Sequence, residues 1–388
     1  MFNPADFLTK EVMDIKPSGI RKFFDVAGSM KDVISLGVGE PDFVTPWHIR
    51  DAAGKAISEG RTYYTSNYGL IELRQEISEY IEKTINISYD PKDEILVTVG
   101  ASEGLDIAIR SLVSNGDEVL VPEPCFVCYK PCVTLVGGIP VPIVTTAEND
   151  FKLTADALLS AITEKTKVLI LPYPNNPTGG IMTREDLEAI APIIKEKNLM
   201  VISDEIYSEL TYNKTHVSIA ELPDMRDRTI IINGFSKAFA MTGWRLGYTC
   251  CHRDILSAMV KIHQYIIMSA PTISQYAAID ALKNGRPDIE RMKEEYNIRR
   301  SFLVNELNNM GVECFNPLGA FYVFPSIKRF GLSSEDFCER LLYEEKLAIV
   351  PGNAFGDSGE GYVRISYAYS TENISKALKR LKKFIDKL

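Results

Sequence analysis

Ile231-Ile232-Asn233-Gly234-Phe235-Ser236-Lys237 is followed closely by Gly243-Trp244-Arg245-Leu246-Gly247. The apolar, β-branched run reads as a strand that delivers a lysine beside a serine. An arginine then returns in a turn bracketed by glycines. Lysine is the side chain whose neutral amine forms a Schiff base with a carbonyl, and serine and arginine suit a phosphate. Taken alone, the stretch reads better as a surface Ser-Lys and an arginine packed on Trp244.

A second stretch, Val201-Ile202-Ser203-Asp204-Glu205-Ile206-Tyr207, is again a short apolar run, and it ends in a carboxylate with a tyrosine three positions on. In a parallel sheet, ligands bind at the carboxyl ends of strands, which is where Asp204 would sit. A fixed anion there can keep a pyridine nitrogen protonated. In the third, Leu171-Pro172-Tyr173-Pro174-Asn175-Asn176-Pro177-Thr178-Gly179-Gly180, prolines and glycines hold an extended loop after the run Lys167 to Leu171. Asn176 can hydrogen-bond a ligand oxygen from it. Pyridoxal phosphate carries an aldehyde, a phosphate and a pyridine nitrogen, and so answers all three.

These motifs occur in the order and spacing of the class I/II aminotransferases, the fold-type I pyridoxal-phosphate enzymes. The chain resembles that family from Ser35-Leu36-Gly37-Val38-Gly39-Glu40-Pro41-Asp42-Phe43 to Gly361-Tyr362-Val363-Arg364-Ile365-Ser366-Tyr367. Within it, the chain is most similar to the prokaryotic aspartate, aromatic and N-acetyl-diaminopimelate group. The resemblance implies that Lys237 is the Schiff-base lysine and Asp204 the partner of the ring nitrogen, with Asn176 and Tyr207 donating to the ring oxygen. Phe126, in Pro122-Glu123-Pro124-Cys125-Phe126-Val127-Cys128-Tyr129, matches the aromatic stacked on the ring. Many relatives have Trp or Tyr there, so this stack lacks a hydrogen-bonding edge. Gly100-Ala101-Ser102 matches the phosphate turn, completed by Ser236 and Arg245. Arg364 matches the arginine that holds the substrate α-carboxylate, and Gly39 the backbone facing it. Tyr64 matches a tyrosine that reaches the neighbouring subunit's phosphate, which implies a homodimer.

Some of these assignments also have support in the residues themselves. Glu94 to Val99 reads as a strand and Ala101 to Val113 as a helix, with Leu105, Ala108, Ile109 and Leu112 on its apolar face. Free N–H groups and the helix dipole at that N-terminus favour a phosphate. Gly100 and Gly104 do not make a dinucleotide fingerprint. Arg364 lies in an alternating Tyr362, Arg364, Ser366 run, and a guanidinium on a strand face can grip a carboxylate through two parallel bonds. Arg110 lies where some relatives place a cation for a distal carboxylate; a helical arginine is more often solvated.

At 388 residues the chain exceeds the length at which single cores usually divide. The expected fold is α/β. A large domain, 46–287, has a mainly parallel sheet covered by helices, including helices at Arg184 to Lys197 and Asp254 to Met268. A smaller, discontinuous α+β domain comprises 288–388, with a helix at Ile289 to Met310, short strands around Phe321 to Phe324 and Val350, and a closing helix from Glu372. The N-terminal segment 1–45 joins it. A net charge of −9 with both signs interspersed argues against nucleic acid and anionic membrane as partners. Asp6, Glu11 and Asp14 interrupt any signal-peptide core, and no run approaches a membrane span, so a cytoplasmic chain is expected. Seven cysteines is an odd number, which argues against a disulfide framework. Cys125, Cys128 and Cys132 have the spacing of one helical face rather than of a metal site, and with Cys250 and Cys251 they read as small buried residues. No metal is expected.

The expected reaction moves an amino group from an L-amino acid, aspartate or an aromatic one, to a 2-oxo acid such as 2-oxoglutarate, by ping-pong kinetics. A carbon-sulfur β-lyase on the same fold and a non-catalytic cofactor-sensing regulator are the alternatives. A nicotinamide dehydrogenase lacks its glycine motif.

Overall fold

Three runs rich in β-branched residues, β5 (Thr166–Leu171), β6 (Met200–Asp204) and β7 (Thr229–Gly234), lie side by side and parallel. They are buried almost throughout, as parallel strands covered on both faces must be. The computed structural model describes residues 2–15 and 30–388. With β2 (Ile95–Thr98), β3 (Glu118–Glu123), β4 (Ile139–Val144) and β8 (Gly247–Cys250), these strands form a seven-stranded sheet of order β2-β8-β7-β6-β5-β3-β4. Only β8 runs against its neighbours.

That pattern places the functional loops. Parallel strands end at the same edge, so the segments after β3, β5, β6 and β7 emerge together. Strand β8 runs the other way and therefore starts at this edge, with Gly247 paired to both Thr98 and Gly234. Arg245, just ahead of it, is thereby brought beside the segment that follows β2. The order also changes direction between β3 and β5, where ligand crevices form in open α/β sheets.

The expected helices are present with small shifts at their ends: Gly100–Leu112, Arg184–Glu196, Arg253–Ile266 and Arg286–Asn309, with Thr371–Ile385 closing the chain. The first begins one residue earlier than its apolar pattern suggests, because Gly100, at φ +74°, already turns the chain into the helix.

A second layer is built from β9 (Tyr322–Val323), β11 (Val350–Pro351) and β12 (Val363–Ser366), in the order β11-β12-β9. Its core gathers Tyr296, Leu303, Phe337, Leu341, Leu378 and Phe384 from the surrounding helices. Leu36 joins the same core. Strand β1 (Ile34–Ser35) pairs in parallel with β10 (Leu347–Ala348), and the Ser366 N–H donates to the Leu36 carbonyl at 2.8 Å. The N-terminal strand is thus joined to the C-terminal part of the chain, across the mouth of the large sheet. Residues 16–29 of the expected 1–45 segment lie outside those described.

Close backbone approach at the sheet edge depends on glycine. A Cβ on Gly247 would lie 2.6 Å from both Ala101 N and Gly100 C, and 2.9 Å from Asn233 O. All three are backbone atoms, which cannot rotate away. Gly247→Ala is expected to destabilise the fold by about 1–3 kcal/mol, the usual cost of overpacking. Denaturant unfolding checks this; an unchanged midpoint would mean that the edge is more yielding than this packing implies.

Candidate active site

At the carboxyl edge of the sheet, between the two layers, lies a cavity of about 590 Å³. Lys237, Asp204, Tyr207, Asn176, Phe126, Ala101, Ser102, Ser236, Arg245, Gly39 and Arg364 all line it. Residues drawn from most of the chain's length therefore face one space.

The anion corner forms where the Gly100–Leu112 helix begins. No side chain caps this helix, so N–H groups of its first turn lack intrahelical partners, and Ala101 and Ser102 lie at the cavity wall. Arg245 is held in a left-handed conformation, φ +49°, and donates through Nη1 to the Thr242 carbonyl at 3.2 Å. A Cβ on Gly100 would stand 2.6 Å from Arg245 Nη2, so only glycine lets the guanidinium approach the helix end.

Asp204 ends β6 and is buried. Its Oδ2 accepts from Tyr129 Oη at 2.8 Å and its Oδ1 from the Ile206 N–H at 3.2 Å. Burial pushes its carboxyl above the ordinary value, although both hydrogen bonds pull it down. A buried carboxylate in this state gains from a cation placed against it.

Lys237 donates from Nζ to the Gly39 carbonyl at 2.7 Å. Burial is the main cause that lowers its ammonium to about 8, helped by Arg364 and Arg245 and opposed by Glu40 and Asp204. A lysine tuned in this way holds a substantial share of free amine near neutrality.

Arg364 is buried on β12. Nη1 donates to Asn176 Oδ1 at 2.8 Å and Nη2 to the Gly37 carbonyl at 2.5 Å, while Nε has no partner among the described residues. Its guanidinium carbon stands 4.4 Å from the centre of the Tyr322 ring and 4.7 Å from that of Phe355. Among the described residues no carboxylate pairs with it. Burial accordingly lowers its affinity for the proton. A buried charge without a counter-charge is costly, by several kcal/mol, unless an anionic ligand completes it.

A half-buried amine, an anion cradle, a buried carboxylate and a guanidinium without a carboxylate partner among the described residues thus meet in one cleft, and comparison with known proteins gives the family. The class I and II aminotransferase model matches residues 31–381. The chain belongs to the class I and II aminotransferases. It is 54% identical to the putative aminotransferase YugH of Bacillus subtilis, over 99% of each chain. It is 49% identical to an aspartate aminotransferase of Pyrococcus abyssi, over 96% of each. The solved aromatic aminotransferase from Pyrococcus horikoshii superposes with a TM-score of 0.90 at 45% identity, covering 95% of this chain and 99% of that one. The protein is a pyridoxal-phosphate-dependent transaminase of fold type I, and the lyase and regulator alternatives are not favoured.

Not every expected residue meets at the cavity of this aminotransferase. Tyr64 is 75% exposed and is not part of the cavity wall of its own chain. Arg110 does not line the cavity either: it sits on the outer face of its helix, paired through Nε with Asp106 at 2.7 Å. Gly39 lines the cavity and its carbonyl accepts from Lys237, while the Gly37 carbonyl accepts from Arg364. Cys125, Cys250 and Cys251 are buried as expected, but Cys128 and Cys132 are only half-buried. The three spaced cysteines do not share a helical face, because the helix there, Tyr129–Leu135, begins after Cys125 and Cys128. Among the described residues no cluster of metal-ligating side chains occurs, and no helix is long and apolar enough to cross a membrane.

Two cavity residues escaped the sequence reading. Tyr129 holds Asp204; its only signal was a position three residues past Phe126. Tyr322 hydrogen-bonds Tyr207 at 2.9 Å between hydroxyls, and its own hydroxyl fills the space a Cβ on Gly39 would need. Nothing local marks a tyrosine in an apolar strand for that task.

The lysine sets a pH dependence. Below about 8 the Lys237 amine is mainly ammonium and cannot attack a carbonyl; above it the free amine dominates. The rate at which cofactor-free protein captures pyridoxal phosphate should therefore rise with pH through a midpoint near 8, followed by stopped-flow absorbance. A midpoint near the ordinary lysine value of about 10.4 would contradict the burial described here.

Proposed function

We propose that this transaminase takes its amino group from an aromatic amino acid or from aspartate and gives it to a 2-oxo acid, 2-oxoglutarate being the expected acceptor. The relatives' names cover both donors. The aromatic reading has a specific observation behind it. The cations lining the cavity, among the described residues, are Lys237, Arg245 and Arg364, and Arg110 is paired outside it. A distal carboxylate has no partner among the described residues, whereas Val127 and Tyr322 offer apolar and aromatic wall.

The donor set fits pyridoxal phosphate. Gly100, Ala101, Ser102, Ser236 and Arg245 would hold its phosphate, Asp204 its ring nitrogen, Asn176 and Tyr207 its ring oxygen, and Phe126 its ring face. The cradle that a Cβ on Gly100 would fill, and the buried Asp204 with no cation in hydrogen-bond contact among the described residues, support this. When bound, the cofactor supplies an aldehyde that captures amines and a ring that accepts electrons from the substrate's α-carbon.

The chain's own residues direct the rest. Arg364 grips the substrate α-carboxylate, and so fixes which face of the α-carbon turns toward Lys237. The orphaned Nε of Arg364, in a buried site with no counter-charge among the described residues, is the observation that carries this assignment. Lys237 Nζ takes the proton from the α-carbon, a step its lowered basicity makes possible near neutral pH. Asp204 keeps a positive ring nitrogen paired in a buried place, and Tyr129 keeps Asp204 aimed. The product oxo acid leaves before the second substrate enters, giving ping-pong kinetics.

We further propose a cytoplasmic homodimer in which Tyr64 serves the partner's phosphate; its exposure on the monomer supports this. Residues 46–287 would form the cofactor domain, with 1–45 and 288–388 a smaller one. The β1–β10 pairing supports that division.

The decisive assay incubates the protein with a panel of amino donors and 2-oxoglutarate and measures glutamate. Phenylalanine or tyrosine should exceed aspartate in kcat/KM, and the reverse order would overturn the aromatic reading. Arg364→Lys should lower kcat/KM about tenfold to a hundredfold, because one charge-assisted hydrogen bond is lost at about 1.5–3 kcal/mol. Asp204→Ala leaves a buried cation unpaired, a loss on the order of 3 to 5 kcal/mol, so the rate should fall by about two orders of magnitude or more. Hybrid dimers test the shared site. When Lys237→Ala is mixed with Tyr64→Phe, one hybrid site has Lys237, Arg364 and a wild-type Tyr64 from the other subunit. Cofactor affinity there should return to the wild-type value; retention of the weakened Tyr64→Phe affinity would place Tyr64 in its own chain's site.

A further inference from the structure

Behind the anion corner, on the side away from the cavity, lies a buried carboxylate–histidine contact that the reaction as described does not use. Glu103 belongs to the first turn of the Gly100–Leu112 helix, directly after Ser102. Its Oε2 accepts from the Val99 N–H at 2.5 Å, and its Oε1 meets His263 Nδ1 at 2.6 Å. His263 comes from the last turn of the Arg253–Ile266 helix. The histidine side chain is fully buried and that of Glu103 is 9% exposed. The contact with a carboxylate requires Nδ1 to carry the hydrogen. His263 Nε2 then has no partner among the described residues.

Packing alone does not account for this arrangement. A buried ring nitrogen without a hydrogen bond costs free energy, and an apolar side chain would fill the same space without that cost. Glu103 poses a second difficulty: its negative charge stands one residue from the turn that would receive a dianionic phosphate. A carboxylate in a helix's first turn ordinarily competes for the same N–H groups and dipole that an anion uses. Here both of its oxygens are engaged, one with Val99 and one with His263. The first-turn N–H groups of Ala101 and Ser102, at the cavity wall, are left to the ligand.

We propose that His263 is a positioning residue for the cofactor phosphate. It clamps Glu103, which in turn clamps Val99, so that the turn Gly100–Ser102 is held open to the phosphate with the glutamate's charge directed away from it. The inference rests on the reading of this corner as the phosphate site. It assigns His263 no contact with cofactor or substrate.

The test compares pyridoxal phosphate with pyridoxal, which lacks the phosphate, in equilibrium titrations of full-length protein followed by absorbance. His263→Phe fills the space but removes the donor, so it should weaken pyridoxal phosphate about tenfold and leave pyridoxal within about twofold. His263→Asn, whose amide can take the place of Nδ1, should recover most of the loss. Equal weakening of both ligands, or no weakening of either, overturns the proposal, because a purely structural histidine would not discriminate for the phosphate. If His263→Phe does not fold, His263→Gln carries the same test: its amide reaches the Nε2 position and leaves Glu103 Oε1 without the Nδ1 donor. Wild-type protein that bound the two ligands equally well would overturn the phosphate reading itself rather than the role of His263.

Discussion

Parallel pairing of β5, β6 and β7 is the constraint on which the rest of this enzyme depends. Register fixes Leu171 beside Ser203 and Asp204 beside Ile232, so the chain leaves successive strands at one edge. Asn176, Asp204 and Lys237 are widely separated in sequence, yet each follows directly from the end of one of these strands. The reversed strand β8 extends the same logic, since only an antiparallel strand could begin at that edge and deliver Arg245 to a helix that starts after β2. A one-residue slip in any of these pairings would turn the functional side chains to the wrong face.

What the edge assembles is a set of charges that the chain does not satisfy by itself. Asp204 and Arg364 are buried, and Lys237 is half-buried at the cavity wall. Each is displaced by burial toward its neutral form: the lysine toward free amine, the aspartate toward acid, the arginine toward a weaker hold on its proton. Such an arrangement costs the empty protein stability and stabilises ligands of complementary charge, because each incoming group supplies a missing partner. Affinity and poor self-complementarity are here the same physical fact. Aromatic rings lie close to Arg364 and Lys237 without offering counter-charge.

Glycine makes these approaches possible. Gly100 admits the Arg245 guanidinium, Gly39 admits the Tyr322 hydroxyl, and Gly247 lets a strand pass against the start of a helix. In each case the missing side chain matters for the neighbour it makes room for, and all three neighbours, Arg245, Tyr322 and Ala101, are themselves part of the cavity wall.

The sequence by itself determined the class of fold, the cofactor and the family, because several local signals, each unspecific alone, recur in the order and spacing of one family: β-branched runs ending in a carboxylate or a lysine, a glycine before an apolar helix, a proline-bound asparagine. Lys237, Asp204, Asn176 and Arg364 were legible for that reason. Tertiary structure alone decided which groups meet across long separations. Tyr129 reaches Asp204, Tyr322 reaches Tyr207, and His263 reaches Glu103 from another helix, and none of these pairs carries a periodic or compositional trace. It also decided against two plausible local readings. Arg110 has the right residue type near the right turn, but the helix rotates it outward to Asp106. The spaced cysteines look like one helical face until the helix is seen to begin after two of them. Sequence spacing encodes direction within an element; distance between elements is set by how they pack.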